Sequence, residues 1–214
     1  MNAQFKPAQA WISEEGYLAE ELLREIRHEY VDGYVYAMPD VSKNHQRIIG
    51  NLYWKFGSHL KGARCEPFAS NLKLKVGSKF FYPDVMVVCE DTSPHEYYAQ
   101  TPVLVVEVLS KNTRRTDETL KRVTYQSIPT LREYVLIEQD FVDVEVCRRS
   151  EGWVSNHYFL GDSVPLESIG LVLPVEEIYA RVENEDMRLF EEKRAKPVSP
   201  PPSLVPSTAA EAAG

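Results

Sequence analysis

The sequence predicts an α/β protein in which a mixed β-sheet is flanked by helices. Two observations carry this expectation. Tyr82-Pro83-Asp84-Val85-Met86-Val87-Val88 and Val103-Leu104-Val105-Val106-Glu107-Val108-Leu109 are Val-rich runs of strand length. Near-continuous apolar runs of that size mark strands covered on both faces. The segment from 103 to 137 then reads strand, helix, strand, the unit that joins parallel neighbours by a right-handed crossover.

The other elements follow from local chemistry. Ser13-Glu14-Glu15 before Tyr17-Leu18 supplies an N-cap and early acids for a first helix. His28-Glu29-Tyr30-Val31 and Tyr34-Val35-Tyr36-Ala37-Met38 flank Asp32-Gly33, a pair suited to a type I′ hairpin turn. Ser42 caps an amphipathic helix in which Ile48, Ile49, Leu52, Tyr53, Phe56 and Leu60 recur at helical spacing. Leu72-Lys73-Leu74-Lys75-Val76 alternates with period 2 and reads as a half-exposed strand. A helix is expected over 116–127, stopped by Pro129. Strands follow at 134–137, 143–147 and 153–159, and helices near 175–181 and 183–194. From 195 to 214 Pro, Ser and Ala dominate without apolar periodicity, so 1–194 forms the domain and 195–214 a disordered tail.

Composition narrows the function. The chain has 214 residues, 43% hydrophobic and 26% charged, the proportions of one soluble domain. No stretch approaches the ~18 apolar residues of a membrane span, and residues 1–15 contain no secretory apolar core. Cys65, Cys89 and Cys147 are odd in number and widely spaced, which reads as three reduced thiols in a cytoplasmic protein. A formal charge of −8 argues against nonspecific coating of nucleic acid. It leaves room for an enzyme acting on nucleic acid, because metal ligands are themselves acidic.

The two apolar strands each carry a carboxylate that burial disfavours. A buried carboxylate costs several kcal/mol unless paired, hydrogen-bonded or metal-bound. Asp84 lies at the mouth of one strand, where it either holds a nearby backbone N–H or ligates a metal. Glu107 interrupts the other and shares a face with Val103 and Val105. Its two explanations are a buried Glu–Lys pair and a hard divalent cation shared with Asp84. Asp117, Lys121 and Tyr125 stand at i, i+4 and i+8, on one face of the next helix. Either they form a surface salt bridge with an exposed Tyr, or that face lies over Glu107 and brings an ammonium to a phosphate. Glu29 is a candidate third acid and His45 a capping or core-edge histidine. Arg64, Lys73, Lys75, Lys79, Lys111, Arg114, Arg115 and Arg122 read mostly as solvated faces.

At these residues the chain resembles the PD-(D/E)XK nuclease superfamily, whose core is the restriction-endonuclease-like fold. It is similar above all to a bacterial family of putative restriction endonucleases, long catalogued as a domain of unknown function. Glu29-Tyr30-Val31-Asp32-Gly33, His45, Tyr82-Pro83-Asp84-Val85, Val105-Val106-Glu107-Val108-Leu109-Ser110, Asp117, Lys121, Tyr125 and Glu133-Tyr134 carry the resemblance, over roughly residues 11 to 181. The resemblance implies that Asp84 and Glu107 are metal ligands and Glu29 a helper acid, with His45, Asp117 and Tyr125 in support. The superfamily's lysine two residues after the acid is replaced by Leu109, so Lys121 is its stand-in from the neighbouring helix. Two functions follow as expectations: an endonuclease using Mg²⁺ or Mn²⁺ on DNA, with homodimers common among such enzymes, or a decayed nuclease fold serving as a binding or assembly module. Fold alone does not separate them.

Overall fold

The computed structural model describes residues 11–90, 95–111 and 113–195; the tail expected to be disordered lies outside them apart from Ala195. Helix α1 (Glu14–Glu21) leads into the hairpin β1 (His28–Val31) and β2 (Tyr34–Ala37), then the long helix α2 (Lys43–His59). Strands β3 (Cys65–Ala69), β4 (Lys73–Val76), β5 (Lys79–Phe81), β6 (Val85–Cys89), β7 (Tyr98–Ala99) and β8 (Pro102–Leu109) follow. A helical segment is built from α3 (Arg114–Thr116), a π-helical turn (Asp117–Lys121) and α4 (Arg122–Gln126). Beyond it come β9 (Glu133–Glu138), β10 (Val144–Arg148), β11 (Ser155–Tyr158), the hairpin β12 (Ser163–Leu166) and β13 (Leu171–Pro174), α5 (Val175–Ile178) and α6 (Glu185–Ala195).

The strands form two main sheets, ordered β2-β1-β5-β4-β7 and β11-β10-β9-β8-β6-β3, beside the separate β12-β13 pair. Strands β8 and β9 are parallel neighbours, as the strand–helix–strand reading requires, and every other pair in the second sheet is antiparallel. Alternation along the central strands sorts their side chains. Val85, Val87, Val106, Val108, Val135 and Ile137 pack on one face against Ile48, Leu52 and Phe56 of α2. Met86, Val105, Leu109, Tyr134 and Leu136 pack on the other, against Leu74 and Phe81 of the first sheet and Tyr125 of α4. Tyr17 of α1 covers the far face of the first sheet with Tyr30 and Phe80. Glu107 falls between Val105 and Leu109, so its side chain enters the layer between the two sheets.

Local expectations mostly hold. Asp32 and Gly33 both take positive φ, 49° and 98°, at the hairpin turn. The Ser42 side chain accepts the His45 N–H at the start of α2. Tyr53 was grouped with the apolar face of α2 but is 47% exposed, because that stripe is narrower than the sequence spacing suggests. Strand β4 is less exposed than its alternation predicts: Lys73 is buried, under α1.

The reading of three reduced cysteines is overturned. Register pairs Cys65 of β3 directly with Cys89 of β6, and the two are joined by a disulfide; Cys147 is free and buried. Directly opposed residues of an antiparallel pair share a face, which brings two thiols together across 24 residues of sequence. The cysteine argument for a cytoplasmic location falls with it. Among the described residues no helix is long and apolar enough to cross a membrane. Closing that loop limits the unfolded chain, so complete reduction should lower the unfolding free energy by about 3 kcal/mol. Urea denaturation with and without reductant measures this, and an unchanged midpoint would show that the bond contributes no stability.

Candidate active site

Glu29 and Glu107 stand on strands β1 and β8, Asp84 immediately precedes β6, and the π-helical turn carries both Asp117 and Lys121. Pairing of Val85 with Val106 brings Asp84, just before β6, to the end of the sheet beside Glu107, near enough for its charge to be felt there. Asp84 Oδ2 accepts the Val108 N–H at 2.7 Å and lies 3.2 Å from His45 Nε2. Glu29, on β1, reaches in from the first sheet and accepts the Tyr82 N–H at 3.2 Å. Glu107 Oε1 accepts from the Tyr125 hydroxyl at 2.9 Å and from Lys121 Nζ at 3.1 Å.

Lys121 is the hub. Its Nζ lies 2.9 Å from Glu29 Oε1, 3.1 Å from Glu107 Oε1 and 3.2 Å from Asp117 Oδ1. It also sits 5.8 Å from the centroid of the Phe81 ring. Lys121 and Glu107 are only 5% and 2% exposed. A π turn is a common device at functional sites; here it carries Asp117 and Lys121 together into the interlayer space. Tyr125, one turn further, is fully buried rather than an exposed surface Tyr, edge-on to Phe81 and Tyr134.

All seven residues singled out from the sequence therefore meet in one place. Glu29, Glu107, Asp117 and Tyr125 gather about Lys121, while His45 and Asp84 form an adjoining pair. Of the two explanations of Glu107, the buried Glu–Lys pair is present in the structure. Arg114 and Arg122, read as solvated, are instead ion-paired with Glu138 and Glu145. Contacts with no sequence signature complete the site: the backbone N–H groups of Tyr82 and Val108, and the Tyr134 hydroxyl on the Asp117 carbonyl at 3.1 Å.

Three carboxylates face one ammonium in a buried space, with Asp84 close beside them. Burial raises Glu107 well above the usual carboxylate range; Lys121 opposes this, while Asp117, Asp84 and Glu29 add to it. Burial also pushes Asp117 from 3.8 up to about 6 against the pull of Lys121 and Thr113. Burial pulls Lys121 down, but Glu107, Glu29 and Asp117 together outweigh it and hold the ammonium protonated well above the lysine range. Neither Asp117 carboxylate oxygen has a hydrogen bond of good geometry, nor has His45 Nδ1. Thr113, Thr116, Asp117, Lys121 and Glu29 line a small cavity of about 50 Å³, room for a few waters at ~10–15 Å³ each.

A raised carboxylate binds more protons folded than unfolded, so its stabilisation is present at low pH and lost as pH climbs from 3.8 through about 6. Asp117→Asn should therefore stabilise the protein at pH 7 by about 1–2 kcal/mol. The gain should vanish toward pH 4. Denaturant unfolding at both pH values tests this, and a loss of stability at pH 7 would show that the contact with Lys121 outweighs the burial cost.

Asp84 and Glu107 offer the hard oxygen donors that Mg²⁺ or Mn²⁺ takes, and neither has both oxygens committed to the protein contacts above. Among the described residues no group of three or more His, Cys, Asp or Glu is arranged to hold a metal. Two carboxylates with water and phosphate oxygens are nonetheless the usual protein share of a Mg²⁺ site, so the donor set fits.

The two packed layers and their acid–lysine site define a restriction-endonuclease-like fold. Residues 15–176 match the Uma2 family, described as "Putative restriction endonuclease", and the chain belongs to that family. A crystal structure of "a putative nuclease belonging to DUF820" from Anabaena variabilis ATCC 29413 superposes with a TM-score of 0.66 at 21% identity, covering 79% of this chain and 98% of the other. Two uncharacterised proteins of Synechocystis are also similar. One, slr1290, is 36% identical over 173 residues, 78% of this chain and 91% of its own. The other, sll1609, is 32% identical over 134 residues, 60% and 76% respectively.

Proposed function

We propose that the protein is a divalent-metal-dependent endonuclease that hydrolyses DNA phosphodiester bonds. The observation that carries this reading is the convergence of Glu29, Glu107 and Asp117 on Lys121, with the Asp84 charge close enough to act on Glu107. A structural ion pair needs one acid, whereas three acids contact this ammonium and a fourth, Asp84, lies beside them. Asp84 and Glu107 would hold Mg²⁺ or Mn²⁺, which supplies charge neutralisation at the scissile phosphate and lowers the pKa of a bound water.

The protein's own groups do the rest. His45 and the Val108 N–H fix one oxygen of Asp84, leaving the other to face outward. Tyr125 and Lys121 fix Oε1 of Glu107 in the same way. The Lys121 ammonium places a fixed positive charge where a phosphorane gains negative charge. Glu29 restrains that ammonium and is itself anchored by the Tyr82 N–H.

The burial and full pairing of Lys121 favour a second reading, a retained structural cluster in a binding or assembly module. Incubating the protein with plasmid and single-stranded DNA, with Mg²⁺, Mn²⁺ or a chelator, separates the two. Metal-dependent cutting that disappears in Glu107→Gln supports the enzyme. No cutting under any condition, with no divalent-metal binding by calorimetry, leaves the module.

A further inference from the structure

The face of the first sheet that looks toward α1 carries a second polar cluster, back to back with the first. Leu74 and Phe81 enter the core between the sheets, whereas their neighbours Lys73, Lys75, Phe80 and Tyr82 turn toward α1. Lys75 is accounted for by Glu14 at 2.6 Å. Lys73 is not: it is 5% exposed, yet among the described residues it forms no hydrogen bond and no ion pair. Its Nζ lies 5.4 Å from the Tyr82 ring centroid, and the Arg27 guanidinium carbon lies 5.4 Å from the same ring.

Lys73, Arg27, Asn71 and Tyr82 line one pocket of about 340 Å³. Burial pulls the Lys73 amine below the ordinary lysine range; Glu21 opposes the pull and Arg27 adds to it. Glu21 acts on it from a distance but makes no ion pair with it. Glu21 Oε1 accepts from the Tyr82 hydroxyl at 3.1 Å and the His28 N–H at 2.7 Å, and its Oε2 faces His28 Nδ1 at 3.5 Å. Glu25 and Glu96 are exposed on the rim. A cation–π contact with Tyr82 offsets only part of the cost of burying an ammonium.

We infer that Lys73 and Arg27, with the Asn71 amide, form a binding site for a phosphate group, distinct from the acid–lysine site across the sheet. The compact ammonium supplies a point charge at the pocket wall, and the guanidinium on the exposed side supplies a planar donor fork, the combination that phosphate oxygens accept. The pocket is wide enough for a phosphate carried on a larger molecule, so either free phosphate or the terminal phosphate of a nucleic acid strand fits the chemistry.

Calorimetry without metal tests the site, using inorganic phosphate and short oligonucleotides with a 5′-phosphate or a 5′-hydroxyl. The wild type should bind at least one of the phosphate ligands, and Lys73→Met should weaken that binding at least tenfold while raising the melting temperature of the free protein. Arg27→Gln, at an exposed position, should weaken it severalfold and serves if Lys73→Met does not fold. A terminal-phosphate preference identifies a strand end as the source, and binding of inorganic phosphate alone identifies the free ion. No phosphate binding by the wild type, or equal binding by both variants, overturns the site. Because neither metal nor cleavage is read, failure here leaves the nuclease proposal standing, and failure of that proposal leaves this site standing.

Discussion

Lys121→Ala should lose several kcal/mol of stability at neutral pH and, where folded, cleave DNA about 10²–10³-fold more slowly. The first effect follows from the contacts. The ammonium touches Glu29, Glu107 and Asp117 within 2.9–3.2 Å in a space almost closed to water. Removing it leaves three buried acids facing one another, and breaking a buried pair by deleting one partner typically costs about 3–5 kcal/mol. Glu107 and Asp117 already hold protons more tightly than usual, so the variant relieves part of that cost by protonation. Its deficit should therefore be small near pH 4–5 and grow as pH rises, the direction expected for carboxylates whose folded pKa is raised. Unfolding curves across pH 4–8 read the first effect, and cleavage at a pH where the variant stays folded reads the second. A pH-independent deficit would mean that the ammonium is not what holds these acids, and wild-type cleavage would remove Lys121 from the chemistry.

Glu107→Gln should leave stability nearly unchanged while abolishing activity. The amide has the same shape, its oxygen still accepts from Tyr125, and Lys121 keeps Glu29 and Asp117. Desolvation and three like charges weigh on Glu107 as it stands, so their relief offsets the lost ion pair and the folding free energy should change by no more than about 1 kcal/mol. Divalent-metal affinity should fall roughly tenfold or more, with cleavage lost at ordinary metal concentrations. A stability loss of several kcal/mol would instead mark Glu107 as part of a structural ion pair and favour the module reading. Asp84→Asn provides the parallel test on β6, where the Val108 N–H and His45 remain as partners.

The two variants separate roles that one sequence position cannot. Glu107 stood out because a charge inside Val103–Leu109 contradicts burial, and Lys121 because its i, i+4 relation to Asp117 and Tyr125 defines a helix face. Which way that face turned was not legible. A surface salt bridge and a buried hub have the same spacing, and only packing of the 114–126 segment between the sheets chose the hub. The same holds for Lys73, whose alternating strand promised a half-exposed side chain until α1 covered it.

The sequence by itself determined the local elements and the acids. Period-2 and helical patterns, the Asp32-Gly33 turn, the Ser42 cap and the two Val-rich strands are each set by residues a few positions apart, where backbone sterics and burial act directly. It also named Glu29, His45, Asp84, Glu107, Asp117, Lys121 and Tyr125. Tertiary structure alone decided strand register, and with it the Cys65–Cys89 bond, the pairing of Asp84 with His45, and the three-acid grip on Lys121. It also decided which backbone N–H groups, Tyr82 and Val108, anchor the carboxylates. These depend on pairings between distant segments, and a slip of one residue in register would send every side chain of a strand to the other face.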